Sequence, residues 1–357
     1  MTGTPTERPL TTAVVLAYGT EPVLEECVRA LLDSDGADVE VVLVDNGGDP
    51  ESVARVARLP RVTLLSPPQN LGYAGGCLKG ASFARGDVLV FVNSDAVVAP
   101  TCVANLVDAV SEEGVGLVSG SVRLAADPQR MNSAGNPVHY LFFSWAGAFG
   151  DPATEHQQSR DVASISGATF AVRRAVWEQI GGFDPAYFAY GEDVDLSWRA
   201  WQRGYRVKFE PAAVSVHHYD FARNPHKFYL LERNRLINLL TLPSDRTLLR
   251  LMPVGVLVEV GLLVAAARDG WARQKWGGWC WLGRHRTYLR QRRRAVQQNR
   301  QRSDSQLAPL WETRLEPPAQ MGVSAPRAVS RLLEMYWDRW VMPTLERPAT
   351  RTEPRHG

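Results

Sequence analysis

Cysteine is scarce: four residues (Cys27, Cys77, Cys102, Cys280) stand far apart in 357, with no C-x-x-C pair and no cluster of histidines beside them. That spacing excludes a disulfide scaffold and a structural zinc site, and it points to a reducing compartment. No G-x-G-x-x-G follows the first apolar run. The residues there are "YGTEP", so the close backbone approach to pyrophosphate that a Rossmann dehydrogenase needs is missing. A P-loop is excluded likewise, since no G-x-x-x-x-G-K-[ST] occurs, and no internal repeat is present. Neither sign of charge dominates, with 40 basic and 38 acidic residues, but the middle leans acidic and the chain turns basic after about residue 270. The N-terminal "MTGTPTERPL" is polar and the following "AVVLA" is too short for a signal-peptide core, so a cytoplasmic start is expected. Long apolar runs are also lacking, apart from Leu248–Trp271, and that one is interrupted by Arg250, Pro253 and Glu259.

What is present from Thr12 to Asn93 is an alternation of short β-branched runs with helical patterns: "TAVVLA", "EPVLEECVRALLD", "VEVVLVD", "VTLLS", "AGGCLKGASFA" and "DVLVFVN". This order predicts an α/β fold with a mainly parallel central sheet. "VVLVD" and "VLVFVN" are apolar throughout, as strands covered on both faces are, and each ends in a polar residue at the edge where open α/β sheets bind ligands. A strand is expected at "GLVSGSVRL", a loop or hairpin over 131–150, a short helix near 173–180, strands near 205–209 and 213–217, and a helix from Pro225 to Leu240.

Three loops then stand at one sheet edge. "FVNSDAVV" places Asn93 and Asp95 just after a buried strand, a spacing that presents a carboxylate to a hard cation such as Mg²⁺ or Mn²⁺; the alternative is an Asx turn that caps the next helix. "DNGG" (Asp45–Gly48) and "NLGYAGG" (Asn70–Gly76) are glycine-rich and either close around a nucleotide or are tight turns. Farther on, "YFAYGEDVDLSWRAW" puts Glu192, Asp193 and Asp195 within four positions. Like charges so close repel, so either they cap a helix N-terminus or one removes a proton while the others position a substrate.

Taken in order, "VVLAY", "VVLVDNGG", "NLGYAGG", "FVNSDA", "SGATFAVRR", "GGFDPAYFAYGEDVDLSWRA" and "VHHYD" make the chain resemble family 2 glycosyltransferases of the GT-A fold over about residues 12–240, and most closely their rhamnosyltransferase branch. The resemblance implies an inverting, metal-dependent transfer of a sugar, rhamnose from dTDP-rhamnose in that branch, to a lipid-linked or cell-wall glycan acceptor. It implies donor contacts at Ala17, Tyr18, Asp45, Asn70, Gly72, Gly75, Asn93, Ser94 and Asp95, with Asp45 on the nucleobase and Asn93–Asp95 at the metal and diphosphate. Asp193 becomes the base, Glu192 and Asp195 its helpers, and Gly167, Glu192 and Trp198 acceptor contacts; Trp198 also serves, with Leu196 and Ala200, to anchor the helix in the core. One of His217 and His218 completes the metal shell with Asp95. Neighbours on a strand point to opposite faces, so only one serves, and His217 fits the family pattern better. Gly19 stands where the family usually has asparagine, and Asn93 replaces the first acid of D-x-D. Two rival readings are a non-catalytic carbohydrate-binding or scaffold protein on this fold, which would lack Asp95 or Asp193, and a nucleotidyltransferase, whose glycine-rich signature "YGTEP" does not supply.

Beyond the catalytic domain (12–240) and a flexible 1–11, residues 241–302 are expected to be helical. The apolar 248–271, the tryptophans 271, 276, 279 and 281 and the acid-free "RHRTYLRQRRRAVQQNRQR" describe a peripheral anchor on the anionic inner face of the cell membrane, with no nucleic-acid role. The alternative is a helical subdomain packed on the core. Residues 303–357 read as a loosely ordered tail with one docking helix, "RLLEMYWDRWV".

Overall fold

Strands β1 (Thr11–Gly19) and β4 (Val88–Asn93) are buried along both faces, which is why their sequences do not alternate. Around them the computed structural model, which describes residues 9–218, 226–318 and 326–345, builds one mixed sheet. β2 (Val39–Gly48) and β3 (Val62–Leu65) extend it in parallel on one side of β1, and β4 lies on the other. β5 is Ala96–Val98 and β6 Val115–Leu124, with β7 (Asp127–Ser133) as the return arm of a hairpin. β8 is Val138–His139, β9 Arg160–Asp161, β10 Thr169–Arg173 and β11 Arg206–His217. The order across the sheet is β3-β2-β1-β4-β10-β6-β11-β5, with β10 antiparallel to both neighbours. The two strands expected near 205–209 and 213–217 are thus one, continuous through a register shift between Glu210 and Val214.

Helices cover both faces. α1 (Leu24–Leu32), α2 (Pro50–Val56) and α4 (Cys102–Val110) close one apolar cluster with Val15, Val41 and Val90. α3 (Gly72–Ala81), α5 (Arg174–Ile180), α6 (Glu192–Gln202) and α7 (Lys227–Thr241) close the other, where Phe91 stacks on Phe170 at 4.7 Å. A helical region follows: α8 (Asp245–Arg268), α9 (Ala272–Arg284) and α10 (Arg286–Gln298).

The tail differs from expectation over its described part. After α11 (Asp304–Leu307), β12 (Trp311–Glu312) pairs with β8, and α12 (Arg327–Tyr336) continues into Trp337. Trp311 stacks on Trp198 at 5.0 Å, and Trp337 stacks on Tyr140, whose hydroxyl donates to the Leu333 carbonyl at 2.9 Å. Prolines and polar residues hid a segment whose two buried tryptophans find partners far upstream. Residues 1–8 and the "YD" of "VHHYD" lie outside the described residues.

Candidate active site

The carboxyl ends of β1, β2 and β4, the start of α3, the start of α6 and the end of β11 converge on a cavity of about 1760 Å³. Tyr18, Asn70, Gly72, Asn93, Ser94, Asp95, Gly167, Glu192, Asp193 and His217 all line it. Gly72 is required by packing: its φ is +70°, and a Cβ there would lie 2.4 Å from the Phe188 carbonyl oxygen.

Asp95 does not cap the following helix, which begins only at Cys102 without a side-chain cap. Its Oδ1 instead lies 3.1 Å from His217 Nε2, and Asn93 Nδ2 lies 3.4 Å from the same nitrogen. His217 Nδ1 lies 2.9 Å from Asn132 Oδ1, so in the tautomer that carries the proton on Nδ1, Nε2 presents a lone pair beside the Asp95 carboxylate. A carboxylate and an imidazole nitrogen converging, with an amide oxygen behind the ring to favour that tautomer, suit a divalent cation such as Mn²⁺. His218 is exposed and outside the cavity; only its backbone N–H takes part, donating to the Asp95 carbonyl at 2.9 Å. Asp151, Glu155 and His156 also bring ligand atoms within 4.8 Å of one another, yet none of them lines this cavity.

Glu192 and Asp193 open α6 behind Gly191, whose φ is +78°. Asp193 Oδ1 accepts the Val194 N–H at 2.8 Å, and Oδ2 accepts Asn136 Nδ2 at 3.3 Å, while the N-cap of α6 is Gly191 with no side-chain cap bond. Burial raises the Asp193 carboxyl from 3.8 to about 6, despite these hydrogen bonds. Burial, then the Asp193 charge, push Glu192 well above the usual carboxylate range, and its Oε2 is buried without a hydrogen-bond partner. Burial thus pushes both neighbouring carboxyls upward, a direction that favours a proton retained within the pair.

Asp195 is corrected: it is fully buried and does not line the cavity, and its carboxylate is held by Arg199 (2.7 and 3.0 Å) and by Arg292 of α10. These two arginines outweigh the cost of burial and keep its carboxyl low. Trp198 is core, packed between Phe142 and Trp311, and does not line the cavity. Gly75 is buried in α3 and lies outside the cavity lining, as does Ala17. Asp45 closes its own turn, accepting the N–H groups of Gly47 (3.2 Å) and Gly48 (3.0 Å), and is likewise absent from the lining.

Several residues were missed. Asn46, next to Asp45, lines the cavity and ties β2 to the α3 loop through Asn70 Oδ1 (2.9 Å) and the Leu71 N–H (2.7 Å). The loop that delivers Glu192 and Asp193 has left-handed Phe188 (φ +63°) and Tyr190 (φ +69°). It is held from α7: Asn234 Nδ2 donates to the carbonyls of Tyr187, Ala189 and Tyr190 at 2.6–2.9 Å, and Arg233 to those of Ala186 and Tyr187. The signal is the polar "RNR" set between the apolar "FYLL" and "LINLL" of one helix, residues that a buried helix face carries only when their groups are bonded.

Fold and site together define a glycosyltransferase of GT-A architecture. The chain matches the Glycosyltransferase like family 2 over residues 8–238 and belongs to that family. It is 31% identical over 232 residues to an N-acetylglucosaminyl-diphospho-decaprenol L-rhamnosyltransferase of Mycobacterium tuberculosis, covering 57% of this chain and 75% of that one. The probable glycosyltransferase YdaM of Bacillus subtilis is 24% identical over 220 residues, 58% of this chain and 50% of its own length. Among solved structures, GalNAc-T7 with UDP, GalNAc and Mn²⁺ superposes with a TM-score of 0.52 at 18% identity, over 61% of this chain and 45% of that one, a likeness of fold.

Proposed function

We propose that this enzyme transfers a sugar with inversion from a nucleotide-diphosphate donor to a hydroxyl of a lipid-linked or cell-wall glycan acceptor, at the cytoplasmic face of the membrane. Rhamnose from dTDP-rhamnose is the favoured donor, by analogy with the mycobacterial relative's name. The observation that carries the reading is the presence of the Asp193 carboxylate and the Asp95–His217 pair in the lining of one cavity. Asp193 accepts the acceptor hydroxyl's proton as its oxygen bonds to the anomeric carbon, and the bond from that carbon to the diphosphate oxygen breaks with its electron pair leaving on the diphosphate. Neutral Glu192 donates a hydrogen bond without adding a second negative charge beside the base. Asp95 and His217 Nε2 would hold Mn²⁺ or Mg²⁺, which supplies charge neutralisation for the departing diphosphate. The apolar far end of the cavity, with Val254, Val258 and Leu262, supports an acceptor bearing a hydrocarbon chain.

The test is a screen of nucleotide sugars by release of nucleotide diphosphate, with and without Mn²⁺. Metal-dependent release that needs both one donor and an acceptor is the expected result. Absence of release from every donor, with sugar binding retained, would favour the non-catalytic carbohydrate-binding reading.

A further inference from the structure

α8 is a helix of 24 residues whose most apolar stretch has a mean hydropathy of 2.1, yet only 17% of that stretch is buried. By length it could cross a bilayer. Its inner face, however, is committed to protein: Leu251, Val254, Gly255 and Ala266 are buried, and Glu259 bonds to Arg235 of α7 and to Lys275 (3.0 Å) and Trp279 (2.8 Å) of α9. Lys275 also reaches Glu232 at 2.6 Å, so two acids and two bases close a partly buried set. Burial opposes ionisation of Glu232, but Arg235 and Lys275 outweigh it and hold its carboxyl at about 2. Glu259, the residue that interrupts the apolar run in the sequence, is thus the bolt that fixes α8 flat against α7 and α9.

The outer face is bare. Leu249, Val256, Leu257, Val260 and Val264 are each more than half exposed and follow one another at helical spacing, with no charged residue among them. Alongside, α12 exposes Val329, Leu332 and Met335, and the Tyr336 hydroxyl bonds the Arg250 carbonyl at 2.8 Å. Such a continuous exposed apolar surface marks an interaction site. Exposed arginines flank the α8 stripe, Arg246 and Arg250 around its first residue and Arg273 beyond its other end, where Arg268 pairs with Asp269, and α12 carries Arg327 and Arg331. The tryptophans and arginines expected to make the anchor divide: Trp276, Arg284, Arg286, Arg290 and Arg294 stay exposed, while others are engaged within the protein. Trp271 stacks on Phe228, Trp281 on His285, and Arg292, Arg293 and Arg300 pair with Asp184, Asp245 and Asp304. The catalytic cavity opens through the bare face: Leu257 and Gly261 of α8 and Val329 and Leu332 of α12 line the same cavity as Asp193.

We propose that α8 and α12 seat the enzyme on an anionic bilayer, with α8 lying along its surface, and that the hydrocarbon chain of a lipid-linked acceptor enters from the bilayer between these two helices. The second clause rests on the acceptor class proposed above. The bilayer is the occupant that matches an uncharged aliphatic stripe bracketed by cations.

The test compares the parent chain with Leu249→Glu/Val256→Glu/Val260→Glu, three exposed positions outside the cavity lining. The triple variant should lose at least tenfold in sedimentation with phosphatidylglycerol-containing vesicles, with the parent binding these more tightly than phosphatidylcholine alone. It should keep its rate on a short-chain, water-soluble N-acetylglucosaminyl diphosphate and lose it on the polyprenyl form in vesicles. A parent that never sediments, or a variant that binds equally, overturns the seating. A parent dimer that the triple variant converts to monomer in light scattering overturns it in favour of self-association. Equal rates on the vesicle-borne acceptor overturn entry between the helices. If no acceptor supports nucleotide release while vesicle binding responds as stated, the catalytic reading has failed and the seating stands.

Discussion

Replacing Asp193 by Asn removes the proposed proton acceptor while keeping an oxygen for the Val194 N–H and nearly the same shape. Turnover should fall by roughly 10²–10⁴, the usual range for a lost general base, with donor affinity nearly unchanged. Stability should move the other way. Raising a carboxyl from 3.8 to about 6 means that folding disfavours its charge by roughly 3 kcal/mol at neutral pH. Because this carboxylate lines a cavity, solvent screening brings the expectation to about 1–2 kcal/mol. The sign follows from linkage: a folded value above the unfolded one contributes stability that is fully present below about pH 4 and is lost as pH rises through about 6. Asn does not titrate, so the variant and parent should melt alike near pH 4, and the variant should melt a few degrees higher above pH 7. The parent's turnover should decline below about pH 6 as the base is protonated. Calorimetric melts of both proteins from pH 4 to 8, beside single-turnover rates, check all of this. An Asn variant that keeps turnover, or whose stability advantage does not grow with pH, refutes the assignment.

Asp95→Ala should abolish transfer and weaken donor binding mainly when Mn²⁺ is present; calorimetric titration of donor across a metal series checks it, and equal binding by mutant and parent would sink the metal role. His217→Ala should raise the metal concentration needed for half-maximal rate by roughly 10–100-fold while His218→Ala leaves it unchanged, a contrast that steady-state assays read directly. Glu192→Gln keeps the shape of a carboxyl whose charge burial disfavours, so turnover at pH 7 should change by less than about tenfold, far less than for Asp193→Asn. Trp311→Ala opens a cavity against Trp198 and Phe142 and should cost roughly 3–5 kcal/mol in denaturant unfolding.

Much of this was legible because parallel strands covered on both faces leave continuous apolar runs, and because ligand-bearing loops follow their carboxyl ends. β1, β2, β4 and the Asn93–Asp95 turn announce themselves in that way. The miscast of Asp195 was avoidable in principle: residues two apart on a helix are separated by about 200°, so Asp193 and Asp195 cannot face one cavity. What sequence could not supply is partnership at long range. Arg292 and Arg293 of α10 look like part of a solvated or membrane-facing run until Asp184, Asp195 and Asp245 are found opposite them. Asp45 and Asn46 are adjacent polar residues at one strand end, and only the turn geometry decides which closes the loop and which enters the cavity.

The pairing of β12 with β8, and the stack of Trp311 on Trp198, have a consequence for how the chain is made. During synthesis the helix carrying Asp193 emerges long before the residues that cover its back, and the Tyr140–Leu333 bond closes across nearly two hundred positions. Contacts of such sequence separation form late and slowly. A nascent chain ending near residue 240 would therefore show an aromatic surface at Phe142 and Trp198 open to solvent, a target for chaperones and for aggregation. Grafting the catalytic half onto another family member's C-terminal region would leave the same surface unmatched, so functional chimeras should require that β12 and α12 travel with α6.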